Sequence, residues 1–141
     1  MMLMLEPRHV GKVLGRPVTS LLDLSDAVEL GLPKTSLRHV VRRVFSDAAE
    51  QRALMNRVIP EATYKRRRDR LSPAESGRTE RLARVIAMAE DVWQDPAQTR
   101  RFLTAPHAEL GGKAPIDAAL TELGARQAEE IMARILYGLP A

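Results

Sequence analysis

Helix starts, apolar stripes of helical spacing and helix stops follow one another along this sequence, and they constrain the fold more than any other feature. The clearest start is Ser72–Glu75, which has a capping Ser, Pro at the first helical position and Glu three residues after the cap. An apolar stripe from Leu82 to Trp93 follows it at helical spacing. Few segments alternate β-branched and polar residues as strands do. The sequence therefore predicts an all-α protein.

Further elements are expected on both sides of this long helix. They are a loose arm over residues 1–19, helices that begin at Ser20, after Pro33, at Asp47 and after Pro60, and later helices that begin at Asp95, at residue 116 and at residue 125. A D-x-x-E capping box is expected at Asp47. Gly124 is expected to end the helix over residues 116–123, and Gly138 to end the last one. Ala53 and Ile135 are expected to face inward.

Composition limits the chemistry that the chain can perform. It has no Cys, which excludes disulfides, thiolate metal sites and Cys nucleophiles. Its three His residues lack metal-ligand spacing, and acidic pairs such as Glu129-Glu130 are typical of solvated helix faces. No apolar run reaches the roughly 18 residues that span a membrane. We therefore expect a cytoplasmic protein with no metal, no cofactor and no membrane, and a small enzyme is the least favoured alternative.

The net charge of +4 is unevenly distributed. Residues 34–84 carry 14 Lys and Arg against 6 Asp and Glu, whereas residues 85–141 carry 5 against 8. Such a division indicates two surfaces with different partners. One surface would bind an anionic molecule, and the other would bind a protein. A solvated basic helix face is the alternative interpretation of the charge.

Two consecutive helices across residues 47–68 have the outline of a helix-turn-helix, whose second helix would face DNA. Its predicted DNA-contacting residues are Thr63, Tyr64, Lys65, Arg66, Arg67 and Arg68. Hydroxyls and cations suit phosphate oxygens and guanine edges. Because four consecutive basic residues point all around a helix, some of them must contact the backbone of DNA rather than its bases. A charged linker helix between two packed domains is the alternative.

The last third of the sequence carries a specific pattern. Its elements are Leu103, Pro106, Leu110-Gly111-Gly112, Pro115, Thr121-Glu122, Gly124-Ala125 and Arg134-Ile135-Leu136-Tyr137-Gly138. This pattern resembles the C-terminal toxin-binding domain of the Xre/MbcA/ParS antitoxins. The basic helix and the segments 71–76 and 81–84 resemble that family's helix-turn-helix and connecting helix. The sequence departs from the family pattern at Trp93-Gln94, where Phe-Gly often stands, and at Ile116, where Leu is common.

The N-terminal arm (1–19) carries no family motif. The resemblance covers residues 20–141 and implies two regions there: a helix-turn-helix region (20–70), and a connecting helix with a toxin-binding domain (71–141). It implies a non-enzymatic antitoxin of a type II module whose RES-domain toxin consumes NAD. The antitoxin would obstruct the toxin's NAD pocket and bind its own promoter DNA. A homodimer within a larger complex is expected, because helix-turn-helix proteins commonly read paired half-sites. The expected toxin-binding residues are Leu110, Gly111, Gly112, Lys113, Arg134, Tyr137, Gly138 and Leu139.

The end of the chain is the part expected to meet the toxin's active site. A short, Pro-stiffened end loses little entropy on docking, so Arg134, Tyr137 and residues 139–141 are expected at the mouth of the NAD pocket. Alternatively, Tyr137 packs under its own helix and other surfaces of the domain block the toxin. A stand-alone transcriptional regulator with a C-terminal dimerisation domain is the competing function.

Overall fold

A computed structural model describes residues 6–138, which form nine α-helices and one short 3₁₀ helix. In chain order they are α1 (Pro7–Leu14), α2 (Leu21–Leu30), α3 (Lys34–Val44), α4 (Ala48–Val58), α5 (Glu61–Arg66), α6 (Pro73–Trp93), α7 (Pro96–Thr104), the 3₁₀ helix (Ala108–Leu110), α8 (Pro115–Ala118) and α9 (Glu122–Tyr137). No strand occurs in this part of the chain, so the all-α prediction is confirmed.

Helix α6 is the element around which the others pack. The predicted capping box is formed: the Ser72 side chain accepts a hydrogen bond from the Glu75 amide, and the Glu75 carboxylate accepts one from the Ser72 amide. Leu82, Val85 and Ile86 are almost fully buried. Helices α1, α2, α7 and α9 all pack against α6. Both halves of the chain therefore share one hydrophobic core.

The expectation of a loose N-terminal arm was wrong for residues 7–14, which form α1. Val10, Val13 and Leu14 are buried against α3 and α6. Gly11 suggested a break in the sequence, but a Cβ there would lie 2.6 Å from the Arg16 carbonyl oxygen. Gly11 therefore lets the Arg16 carbonyl group lie close against α1, and it does not interrupt that helix.

The predicted helix over residues 116–123, with a stop at Gly124, was also wrong. Helix α8 ends at Ala118, and α9 begins after Thr121, whose hydroxyl oxygen accepts a hydrogen bond from the Gly124 amide at 3.0 Å. A Cβ on residue 124 would lie 2.0 Å from the Ala118 carbonyl oxygen. Gly124 is therefore needed for the contact between the end of α8 and the first turn of α9.

Most other helix starts are confirmed, with Ser20, Asp47 and Asp95 each acting as a side-chain cap. At Asp47 the side chain accepts from the Glu50 amide. The predicted capping box there was wrong, because the exposed Glu50 carboxylate does not accept the reciprocal hydrogen bond from the Asp47 amide. The inward positions of Ala53 and Ile135 were wrong, because both side chains are exposed. Within residues 6–138, no helix is both long enough and apolar enough to cross a membrane.

Candidate functional site

The predicted helix-turn-helix is present as α4, a turn at Ile59-Pro60 and the six-residue helix α5. Leu54 and Ile59 are fully buried and fix the two helices on the core. Arg78 of α6 donates a hydrogen bond from Nε to the Val58 carbonyl oxygen at 2.8 Å. The end of α4 and the turn are therefore held directly by the central helix.

Three of the predicted DNA-contacting cations, Lys65, Arg66 and Arg68, are exposed. Lys65 has only a long ion pair with Glu61, at 3.7 Å, and its side chain is 73% exposed. Arg66 donates a hydrogen bond from Nη2 to the half-buried Thr63 hydroxyl at 3.2 Å. Lys65 and Arg66 lie in the last turn of α5 and Arg68 lies two residues after it, and all three side chains are accessible to a phosphate group from solvent.

Tyr64 and Arg67, also predicted to contact DNA, make contacts inside the protein. Tyr64 is 9% exposed; its hydroxyl donates to the Lys34 carbonyl oxygen at 3.3 Å, and the Lys34 Nζ lies 4.4 Å from its ring centroid. Arg67 donates two hydrogen bonds to the Glu75 carboxylate, at 3.1 and 2.8 Å. These contacts position α5 against α3 and α6.

The ion pair of Arg67 and Glu75 makes part of the stability dependent on pH. The hydrogen bond from Arg67 lowers the pKa of Glu75 below its ordinary value, more than burial raises it. A lowered pKa in the folded state stabilises the protein at neutral pH, and this contribution is lost as pH falls through that lowered pKa. We expect Glu75→Gln to reduce the free energy of unfolding by about 1–3 kcal/mol at pH 7. Urea unfolding at a series of pH values below 7 should show this difference diminishing as pH falls through the lowered pKa of Glu75.

The control for this prediction is Glu50→Gln. Glu50 occupies the equivalent position in the first turn of α4, where it is exposed and forms no ion pair within residues 6–138. Its substitution should change the free energy of unfolding by less than about 0.5 kcal/mol. Equal losses for the two variants would mean that the pair with Arg67 contributes nothing specific.

The predicted toxin-binding turn is closed by backbone hydrogen bonds. The His107 carbonyl oxygen accepts from the Gly112 amide at 3.0 Å, and the His107 amide donates to the Lys113 carbonyl oxygen at 3.0 Å. Gly111 and Gly112 have φ of 66° and 82°, which the left-handed region of the turn requires. Leu110 is 8% exposed and anchors the turn in a small cluster. The two glycines and Lys113 are exposed.

The end of α9 lies beside this turn, because Arg134 forms an ion pair with Glu109. Tyr137 is 38% exposed, and the adjacent Ile135 and Leu136 are 50% and 41% exposed. Gly138 caps the helix with φ 64°. Leu139 lies outside the described residues. The structure thus brings the turn and the end of α9 together, and it adds two exposed apolar side chains that the sequence did not assign to a site.

We call this combined surface, residues 109–113 and 134–138, the C-terminal patch. Arg81 of α6 supports the domain that carries it by donating a hydrogen bond to the Leu120 carbonyl oxygen at 2.8 Å. Arg57 of α4 forms an ion pair with Asp117 of α8. The candidate DNA surface and the C-terminal patch are therefore carried by elements that contact one another.

The acidic residues of α6 and α9 do not all lie on solvated faces. The Glu129 side chain is 27% exposed, and its carboxylate is 3.6 Å from Arg84. Burial raises the pKa of Glu129 and of Glu80, which also pairs with Arg84. Within the described part of the chain, no three potential metal ligands cluster. The expectation of a solvated face at Glu129 was therefore wrong, and the residue takes part in a partly buried ion-pair network.

Two family models match adjoining parts of the chain. The antitoxin Xre-like helix-turn-helix domain matches residues 23–84, and the antitoxin Xre/MbcA/ParS C-terminal toxin-binding domain matches residues 88–138. A protein named antitoxin Xre from Pseudomonas putida is 34% identical over 86 residues. That alignment covers 59% of this chain and 54% of the relative, so the chain spans about half of the relative's length.

Proposed function

The chain belongs to the Xre/MbcA/ParS family of antitoxins, and on that premise we propose that it neutralises the toxin of a type II toxin–antitoxin module. The toxin is of the RES-domain class and consumes NAD. The antitoxin acts by binding, and it covers the entrance to the toxin's NAD pocket.

The C-terminal patch is the observation that carries this proposal. It presents Ile135, Leu136 and Tyr137 to solvent at the end of a rigid helix, next to a turn fixed by Leu110. Exposed aromatic and aliphatic side chains on a preorganised element are the usual anchors of a protein interface. The matched toxin-binding domain, residues 88–138, includes all of them.

A second activity of the chain is repression of its own promoter through α4 and α5. This part of the proposal is supported by the match of the Xre-like helix-turn-helix domain and by the exposed cations Lys65, Arg66 and Arg68. A homodimer, which would place two copies of α5 on paired half-sites, completes the proposal.

The direct test is co-expression of the full chain with the RES-domain toxin of its proposed module. We expect cells that express the toxin alone to lose NAD and stop growing, and cells that express both proteins to keep NAD and grow. The two proteins should also co-purify. Full toxicity in the presence of a folded, abundant antitoxin would overturn the proposal and favour a stand-alone regulator.

A further inference from the structure

Helices α1 and α3 form an exposed basic surface that the helix-turn-helix does not account for. Neither helix contains an Asp or Glu residue. The two helices pack against each other, and a Cβ on Gly15, just after α1, would lie 2.4 Å from the His39 ring of α3. The cations of this surface are Arg8, Lys12 and Arg16 in and after α1, and Arg38 and Arg42 on α3. We call these five residues the α1–α3 basic face.

Two of the acidic groups that face this surface, Glu90 and Asp91, come from α6 and already have basic partners. Glu90 of α6 accepts two hydrogen bonds from Arg43, at 2.7 and 2.9 Å, and one from His9 at 2.7 Å. Asp91 lies 3.0 Å from the other ring nitrogen of His9. Glu6, at the start of α1, is the remaining neighbour. Within residues 6–138, none of the five cations of the basic face forms a salt bridge.

The basic face continues the candidate DNA surface of α5. Lys34, at the start of α3, donates a hydrogen bond from Nζ to the Arg67 carbonyl oxygen at 2.9 Å, directly after α5. Lys34, Arg38 and Arg42 follow one another at intervals of four residues, so they lie along one side of α3. At the far end of α3, Arg43 lines the same shallow concavity as Arg8 and Lys12, together with His9, Glu6 and Asp91. A path of cations therefore runs from α5 along α3 to α1.

We propose that the α1–α3 basic face binds the phosphate backbone of double-stranded DNA beyond the part covered by α4 and α5. This inference rests on the proposed DNA-binding function and extends its contact surface. Lys34 and Arg42 are separated by eight residues, or about 12 Å of helix. A DNA strand presents one phosphate per about 3.4 Å of its axis. Lys34, Arg38 and Arg42 are about 6 Å apart along the helix, so each can contact a different phosphate of one strand. Helices α1 and α3 themselves contribute no Asp or Glu that would repel the strand.

The test is the salt dependence of binding by the full chain to a fluorescein-labelled 30-base-pair duplex of mixed sequence. Fluorescence anisotropy at 50–200 mM KCl gives the slope of log affinity against log salt. We expect Arg38→Ala/Arg42→Ala to make this slope shallower by about 2, since each lost phosphate contact accounts for about 0.9. Arg8→Ala/Lys12→Ala should have a similar effect. Both pairs lie on exposed helix faces, where Ala preserves the helix.

The control is Arg126→Glu, which changes the net charge by the same amount at an exposed position of α9. Its slope should equal that of the unmodified chain. A shallower slope for this control, equal to that of the double variants, would mean that net charge alone is measured and would overturn the proposal.

The two proposals fail in distinguishable ways. If Lys65→Ala/Arg66→Ala/Arg68→Ala weakens binding while both double variants match the control, the proposal for the α1–α3 basic face is overturned. The DNA-binding role proposed for the helix-turn-helix is then supported. If only the double variants weaken binding, the basic face stands and the role proposed for α5 is wrong. An unmodified chain that does not bind the duplex at 50 mM KCl would overturn both.

Discussion

Replacement of Leu136 and Tyr137 by Lys should abolish neutralisation of the toxin while the antitoxin stays folded. Both side chains lie in the last turn of α9 and are 41% and 38% exposed, so they contribute little to the core. Lys is a good helix former, and positive charge near a helix C-terminus is favourable. In a complex, however, two cations would replace the apolar anchors of a desolvated contact.

The expected magnitude follows from the behaviour of interface anchors. The loss of one central residue costs about 2–4 kcal/mol, and two adjacent losses should weaken binding at least about 1000-fold. The measurement is NAD consumption by a fixed amount of RES-domain toxin titrated with the variant, together with a binding isotherm. Thermal unfolding of the variant alone should be unchanged within a few degrees.

Leu30→Lys is the matched control for this experiment. Leu30 is the last residue of α2, is 68% exposed and lies outside the C-terminal patch. The same chemical change at the end of a different helix should leave neutralisation intact. If the Leu136 and Tyr137 variant still inhibits the toxin fully, another surface of the C-terminal domain blocks the toxin.

The sequence predicted the long helix and its neighbours well because their signals are local. A cap such as Ser72 acts within three residues, and an apolar stripe such as Leu82 to Trp93 is visible without knowledge of the partner helix. The predictions at Gly11 and Gly124 were wrong because the contacts of these two residues are not local. Each permits contact with a carbonyl oxygen from outside its own helix, and a close approach of this kind leaves no local signal distinct from a stop.

The candidate sites were predicted in position but not in the role of each side chain. Tyr64 and Arg67 belong to a basic run in which the sequence does not distinguish one residue from the next. Tyr64 is held inside the protein by Lys34, which is distant in the chain, and Arg67 is held by Glu75, which lies on another helix. The sequence signal available for Arg67 was the capping Glu75, an acidic residue eight positions later. Ile135 continues the apolar stripe of α9 in sequence, yet no element within residues 6–138 buries it, and its side chain is 50% exposed to solvent.

Removal of the exposed cations around α5, which Arg67 does not join, should have a large effect on DNA affinity. Lys65→Ala/Arg66→Ala/Arg68→Ala should weaken binding of the chain to duplex DNA about 100-fold at 100 mM KCl and make the salt slope shallower by about 3. All three side chains are exposed, so their removal leaves the core and the capping box of α6 intact. The free energy of unfolding should change by less than about 0.5 kcal/mol. Fluorescence anisotropy and urea unfolding of the same samples measure the two quantities.

Arg67→Ala is the comparison that separates a binding residue from a positioning residue. Its side chain is committed to the Glu75 carboxylate, which is 7% exposed, so its removal leaves a buried carboxylate without its cation. We expect this variant to lose stability at pH 7, and its difference from the unmodified chain to diminish as pH falls through the lowered pKa of Glu75. The triple variant should lose DNA affinity alone. Neutralisation of the toxin should survive the triple variant, because the C-terminal patch is untouched. Loss of neutralisation together with DNA binding would instead mean that the outer face of α5 supports the fold, as a charged linker helix would.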